Sequence, residues 1–253
     1  MKAKLTLVGA GPGDPELITL KGVKALSSAD VILYDALVHP DLLEHAKPTA
    51  KKIYVGKRSG NHSYSQDEIN QLIVDHALSD GHVVRLKGGD PFIFGRGKEE
   101  IEYAETFNIA TEVVLGISSI NLPGYYGIPL TRRGINESFW VVTATTSDGK
   151  LSKDAELVAQ SSATGVFLMG LKKLKEITEV YQRHGKGNVY AAIISKGSLE
   201  DGKLLLGTVD TIYQLKQQTK VASPAIIAIG EAVGTHEYFY ENIQNINEKL
   251  KVL

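Results

Sequence analysis

The stretch Leu5-Thr-Leu-Val-Gly-Ala-Gly-Pro-Gly-Asp-Pro15 decides how the chain is read. A short apolar run, Leu5 to Val8, breaks at once into Gly9, Gly11 and Gly13, the pattern of a buried strand feeding a tight turn. Behind the turn Leu17, Leu20, Val23, Ala25 and Leu26 recur at helical spacing and predict a helix over Leu17–Ser28. The strand–helix alternation then repeats. Strands are expected at Val31–Tyr34, Lys52–Val55, His82–Leu86 and Thr111–Leu115, with a helix over Gly97–Phe107. A further helix, Gln66–Leu78, is announced by the capping box Ser65-Gln-Asp-Glu68, in which Ser and Glu each satisfy an orphan amide. Alternation of this kind implies a parallel sheet covered on both faces.

Six glycines and prolines between Gly116 and Gly134 mark a junction, so two α/β domains are expected, 1–117 and 118–253. In the second, strands are expected near Ser138–Thr143, Gly165–Leu168, Val189–Ile194, Leu204–Gly207 and Ala225–Ile229. Helices near Lys153–Ala159, Leu171–Arg183 and Val209–Gln218 separate most of them. The turn-rich Lys196-Gly-Ser-Leu-Glu-Asp-Gly202 predicts an antiparallel hairpin, and therefore a mixed sheet.

Composition narrows the function. Across 253 residues, 28 basic residues stand against 29 acidic ones, which leaves no global attraction for nucleic acid. No apolar stretch reaches the roughly 20 residues that span a bilayer, and the opening apolar run is too short for a signal peptide. Cysteine is absent, which removes disulfides, thiolate metal sites and a thiol nucleophile and fits a reducing compartment. The seven histidines show no metal-ligand spacing, so no metal is expected.

Two glycine loops carry the chemistry. The first lacks the third glycine of a dinucleotide fingerprint, having Asp14 and then Pro15 there. An NAD-type oxidoreductase stays open, because Asp30 and Asp35 lie near the distance of a ribose-binding acid. The second loop, Arg85-Leu-Lys-Gly-Gly-Asp-Pro-Phe92 followed by Gly95-Arg-Gly97, also follows an expected strand. Ligands of open α/β sheets bind at the carboxyl ends of strands, so two such loops point to a small-molecule cleft.

Several stretches together resemble the tetrapyrrole methylase family, in the branch that methylates uroporphyrinogen III. They are Gly9–Gly22, Ala29–Val38, Val55-Gly-Lys-Arg-Ser-Gly-Asn-His62 with Gln66–Asn70, Val84–Gly97 and Gly127-Ile-Pro-Leu-Thr131. The resemblance implies two α/β domains, an N-terminal parallel and a C-terminal mixed sheet, with S-adenosylmethionine held in the cleft between them. It implies methylation of uroporphyrinogen III at C2 and then C7 to precorrin-2, with S-adenosylhomocysteine released. It implies a proton acceptor at Asp35 and a proton donor at Lys57. Cofactor contacts would come from Pro12, Gly88, Gly89, Asp90, Ile93, Ser118, Ser119, Met169 and Gly197. Arg96 and Glu99, one helical turn apart, would lie near the substrate, whose eight carboxylates suit the planar fork of arginine. Arg132 and Arg133 are further candidates for substrate binding. A cytoplasmic homodimer without nucleic-acid or membrane partners is expected.

The chain departs from the family pattern in places. Thr143-Ala-Thr-Thr146 stands where the family shows Thr-Gly-His, Arg132 where a histidine is common, and Ser195-Lys-Gly-Ser198 where Glu-Asn-Gly-Thr is typical. These changes bear on the cofactor side and put Gly197 in question. Two further readings stay open: a relative acting on a later cobalamin precursor, diphthamide or ribosomal RNA, and a ligand-binding module without catalysis.

Overall fold

A computed structural model describes residues 2–56 and 64–239. The chain divides into two compact units, Met1–Ser119 and Ile120–Leu253. In the first, strands β1 (Lys4–Gly9), β2 (Val31–Tyr34), β3 (Lys51–Tyr54), β4 (His82–Lys87) and β5 (Ala110–Val114) form a five-stranded sheet in the order β3-β2-β4-β1-β5. Every neighbouring pair is parallel. Helices α1 (Leu20–Ser28), α2 (Gln66–Ser79) and α3 (Gly97–Glu105) lie on its faces.

Successive strand residues point to opposite faces, so an apolar strand feeds two cores. Leu5, Leu7, Leu33 and Val83 pack with Ile69 and Ile73 of α2 and Ile101 and Ala104 of α3. Val8, Ile32, Val84 and Leu86 pack on the other face with Leu26 of α1 and with Leu42. Each fully buried leucine or isoleucine contributes roughly 1.5–3 kcal/mol relative to exposure.

The expected capping box is present at α2, with Ser65 Oγ accepting from Glu68 N and Glu68 Oε2 accepting from Ser65 N. The helix expected from Leu17 begins three residues later. Asp14 Oδ1 accepts from Glu16 N at 2.8 Å and fixes a separate 3-10 turn, Pro15–Leu17. Thr19 then caps α1 by accepting from Gly22 N at 3.1 Å. Two nearby side-chain caps split what apolar spacing alone reads as one helix.

The second unit opens with the short α4 (Leu122–Tyr125) and builds a sheet from β6 (Phe139–Thr143), β7 (Thr164–Leu168), β8 (Tyr190–Ser195), β9 (Lys203–Thr208) and β10 (Ala225–Ile229). Their order is β6-β7-β10-β8-β9. The sheet is mixed: β6 and β7 are parallel, whereas β10 runs antiparallel to both β7 and β8, and β8–β9 is the expected antiparallel hairpin. Helices α5 (Asp154–Gln160), α6 (Leu174–Arg183) and α7 (Val209–Gln217) share one core with the sheet, around Phe167 and Tyr181. On the other face Leu122 and Ile128 pack against Val166, Ile194 and Ile226.

Candidate active site

In the first unit three strands end in glycines that approach one another closely. A Cβ on Gly9 would stand 2.4 Å from Gly116 Cα, and one on Gly116 would stand 2.2 Å from Gly89 O. No side chain fits either position. The two loops are also hydrogen-bonded, Gly89 N donating to Gly11 O at 2.7 Å and Gly11 N to Gly89 O at 3.3 Å.

The adjacent glycines Gly88 and Gly89 serve different needs. A Cβ on Gly88 would lie 2.5 Å from Leu37 Cβ, so that glycine makes room for packing. At Gly89 the nearest atom to a Cβ would be Ser119 N, 3.8 Å away, and φ is +68°. That left-handed backbone suits glycine, and the space beside it is free of protein. Asp90 is buried, with Oδ1 accepting from Phe92 N at 2.8 Å and Oδ2 from Gly116 N at 3.1 Å. It fixes the loop after β4 to the chain leaving β5. Pro12 lies half-buried in the first loop, Ile93 is exposed, and Ser118 is buried just beyond Gly116. Pro12, Gly88, Gly89, Asp90, Ile93, Ser118 and Ser119 therefore gather in the loops leaving β1, β4 and β5.

Asp35 is the first residue after β2, at the same edge. Its Oδ1 accepts from Leu37 N at 3.0 Å, and its Oδ2 stands 3.5 Å from Arg85 Nη2. Lys57 and the Lys57-Arg-Ser-Gly60 stretch lie outside the described residues. Arg96, at the N-cap of α3, has φ +58° and its side chain is 55% exposed. The guanidinium grips Glu99 with both arms, Nε to Oε1 at 2.9 Å and Nη2 to Oε2 at 2.5 Å. That pairing raises the pKa of Arg96 and lowers that of Glu99. Glu99 thus orients Arg96 and leaves it facing water, available to an anion.

Beneath Asp35 lies a buried charged group that the sequence reading left unassigned. Arg85, Lys87 and Glu100 are all nearly or fully buried. Glu100 Oε1 accepts from Lys87 Nζ at 2.8 Å and from Arg85 Nε at 3.3 Å. Burial, with Arg85 alongside, lowers the pKa of the Lys87 ammonium, and Glu100 opposes that shift. The signal was available: two cations at alternating positions of an apolar parallel strand need an anion from a covering helix.

The second unit places its candidates at two different sheet edges. β6, β7 and β8 all run the same way. Met169 follows β7 and Gly197 lies two residues past β8, so both stand at the carboxyl edge. Met169 is exposed and has φ +53°. Gly197 is buried, and a Cβ there would meet Ile194 Cγ2 at 2.5 Å. Arg132 and Arg133 are exposed residues preceding β6. Their loop is pinned by Asn136, which accepts from Arg132 N at 2.9 Å and donates to Thr164 Oγ1, at the start of β7. The backbone of Arg132 and Arg133 is thus held at the edge opposite Met169 and Gly197.

The sequence profile of the family described as Tetrapyrrole (Corrin/Porphyrin) Methylases matches residues 4–213. A uroporphyrinogen-III C-methyltransferase of Methanocaldococcus jannaschii is 44% identical over 236 residues, covering 92% of this chain and 98% of that protein. A siroheme synthase of Sodalis glossinidius is 43% identical over 235 residues; those residues span 92% of this chain and 50% of that longer protein. A crystal structure of uroporphyrin-III C-methyl transferase from Thermus thermophilus, complexed with S-adenyl homocysteine, superposes with a TM-score of 0.78. It is 35% identical and covers 91% of this chain and 98% of its own.

Proposed function

The chain belongs to the tetrapyrrole (corrin/porphyrin) methylase family, and on that premise we propose that it is an S-adenosylmethionine-dependent methyltransferase acting on uroporphyrinogen III. It methylates C2 and then C7, giving precorrin-2 and two S-adenosylhomocysteines, on the branch toward siroheme and cobalamin. The observation that carries this is the match to the Methanocaldococcus enzyme along 98% of that protein's length at 44% identity. Nothing in the geometry favours an NAD-type oxidoreductase: Asp14 caps a 3-10 turn where the dinucleotide fingerprint wants glycine.

The residues fit such a cofactor. Space beside Gly89 is open, the three glycines lock the surrounding backbone, and Asp90 holds the loop from beneath. When bound, S-adenosylmethionine supplies an electrophilic methyl group on a sulfonium. Pro12, Gly88, Gly89, Asp90, Ile93, Ser118, Ser119, Met169 and Gly197 are its proposed contacts. Asp35 is the proposed base that takes the tetrapyrrole proton as the new carbon–carbon bond forms. A placed base contributes about 10²–10⁴-fold, and alignment much of the rest. Lys57 is the proposed proton donor. Arg96, oriented by Glu99, is proposed to bind a substrate carboxylate, with Arg132 and Arg133 as further cations. A homodimer in the cytoplasm is proposed as well; no helix among the described residues is long and apolar enough to cross a membrane.

Anaerobic incubation with S-adenosylmethionine and uroporphyrinogen III, followed by mass spectrometry, tests the reading. One and then two added methyl groups are expected. Methylation of a later corrin precursor, with uroporphyrinogen III untouched, would redirect the chain to another branch of the family.

A further inference from the structure

Glu100 sits on α3 with no exposed surface, and presents a single oxygen to three donors. Oε1 receives Lys87 Nζ at 2.8 Å, Gln66 Nε2 at 3.2 Å and Arg85 Nε at 3.3 Å. Its other oxygen, Oε2, is buried and accepts from none of the described residues. The group interrupts a face otherwise filled by Leu5, Leu7, Leu33, Ile69, Ile73 and Ile101. Buried ion pairs add little net stability, and apolar replacements of similar volume are often neutral or stabilising. A charged cluster with an unsatisfied oxygen is thus poorly explained by stability alone.

Its arrangement points outward to the edge of the sheet. Arg85 Nη1 donates to the carbonyls of Leu86 at 3.0 Å and Leu33 at 3.4 Å, which fixes the plane of the guanidinium. With Nε on Glu100, the remaining arm, Nη2, stands within ion-pair distance of Asp35 Oδ2, 3.5 Å away. One rigid fork therefore joins a fully buried carboxylate to a carboxylate at the strand end. Leu37 N holds the other oxygen of Asp35.

We infer that Arg85, anchored by Glu100, is a positioning residue that fixes the Asp35 carboxylate for proton removal. The inference rests on the reading of Asp35 as the base. Arg85 touches no substrate and acts through Asp35 alone. Lysine keeps the buried charge opposite Glu100 but lacks the fork that meets two carboxylates at once.

The test is a double-mutant cycle on the full chain, with turnover, KM for uroporphyrinogen III and affinity for S-adenosylhomocysteine measured for Asp35→Asn, Arg85→Lys and the pair. Arg85→Lys is expected to lower kcat about tenfold or more while leaving KM and cofactor-product affinity within about twofold, as misplacement of a catalytic group does. In the Asp35→Asn background the same substitution should change kcat by less than about twofold, because its partner is gone. A purely structural arginine would lower activity by the same factor in both backgrounds, and that result overturns the inference. So does wild-type kcat in Arg85→Lys. Wild-type kcat in Asp35→Asn overturns the base reading itself and this inference with it, an outcome distinct from both. Glu100→Gln, isosteric and acting on the guanidinium from the other side, takes the place of Arg85→Lys should that variant fail to fold, with the same pattern expected.

Discussion

Thr145 Oγ1 donates to the carbonyl oxygen of Met169 at 2.8 Å, and Met169 is held at φ +53°. Left-handed backbone is unfavourable for a residue with a side chain, and persists where surrounding contacts over-determine it. Thr143 completes the clamp: its hydroxyl donates to Thr145 O at 3.1 Å and approaches Met169 Sδ at 4.0 Å. Thr145, which stands where the family pattern has histidine, and Thr143, which keeps the family's threonine, together set how Met169 is presented.

Thr145→Val keeps the shape and removes the donor. If Met169 contacts the cofactor, affinity for S-adenosylhomocysteine should fall about three- to tenfold, the worth of roughly 1 kcal/mol for one hydrogen bond. Thr145→Ser should bind like wild type. Calorimetric titration of the three proteins decides it, and equal affinity in Thr145→Val would detach Met169 from the cofactor.

The neighbouring glycines after β4 should separate stability from binding. Gly88→Ala pushes a methyl to within 2.5 Å of Leu37 Cβ, and such overpacking is expected to lower stability by roughly 1–3 kcal/mol. Gly89→Val meets no protein atom so closely, and its backbone strain costs about 1–3 kcal/mol. It does fill the open space, so S-adenosylhomocysteine affinity should drop more than about tenfold while the protein remains folded. Wild-type affinity in Gly89→Val would exclude this loop from the site.

Much of this layout was legible in the sequence, and the parts that were not share a cause. Apolar runs ending in glycine located β1 and β7, and the Ser65–Glu68 capping box located α2, because each signal is local. Glu99 and Glu100 read as two adjacent helix charges, yet the first is exposed and the second has no exposed surface. The helical period puts Glu100 with Ile101 and Ala104 on the covered face, but its cationic partners lie on a strand 13 and 15 residues back. Register across the sheet, not spacing along the chain, brings Asp35 to Arg85: Leu33 pairs with Arg85, two residues before Asp35. The position of Arg132 and Arg133 was hidden for a similar reason, since strand direction decides which edge a preceding loop occupies.

Acid should weaken the first unit through Glu112 on β5. Lys4 Nζ and Lys21 Nζ reach its two oxygens at 2.8 and 2.9 Å and hold its pKa down to about 2, against an ordinary 4.5. A carboxylate depressed on folding stabilises the native state above its unfolded pKa, and that contribution is lost as pH falls through the window from 4.5 to about 2. The group is 36% exposed, so solvent screening limits the effect to about 1 kcal/mol. Glu112→Gln should melt below wild type at neutral pH, with the gap closing as the pH approaches 2. A gap independent of pH would show that packing, not charge, sets the difference.

Arg96 offers a test in which charge, fork and backbone come apart. Its guanidinium is oriented by Glu99 yet exposed, so its pair contributes little to stability through a screened surface contact. Desolvated against a substrate carboxylate, the same group would matter far more. Arg96→Lys keeps the charge and loses the fork, and Arg96→Ala loses both. Turnover under limiting substrate should therefore fall in the order wild type, lysine, alanine, the last by on the order of a hundredfold. Affinity for S-adenosylhomocysteine should not change. Because φ is +58° at this position, Arg96→Gly serves as the backbone control. Glycine relieves any left-handed strain that alanine retains, so equal losses in the two variants assign the effect to the missing side chain. Glu99→Gln should give an intermediate loss, since the guanidinium keeps its charge but loses the carboxylate that aims it. Retention of more than about half the wild-type rate in Arg96→Ala would match a surface ion pair and end the substrate assignment. The exposed Arg132 and Arg133 would then be the cations to substitute next.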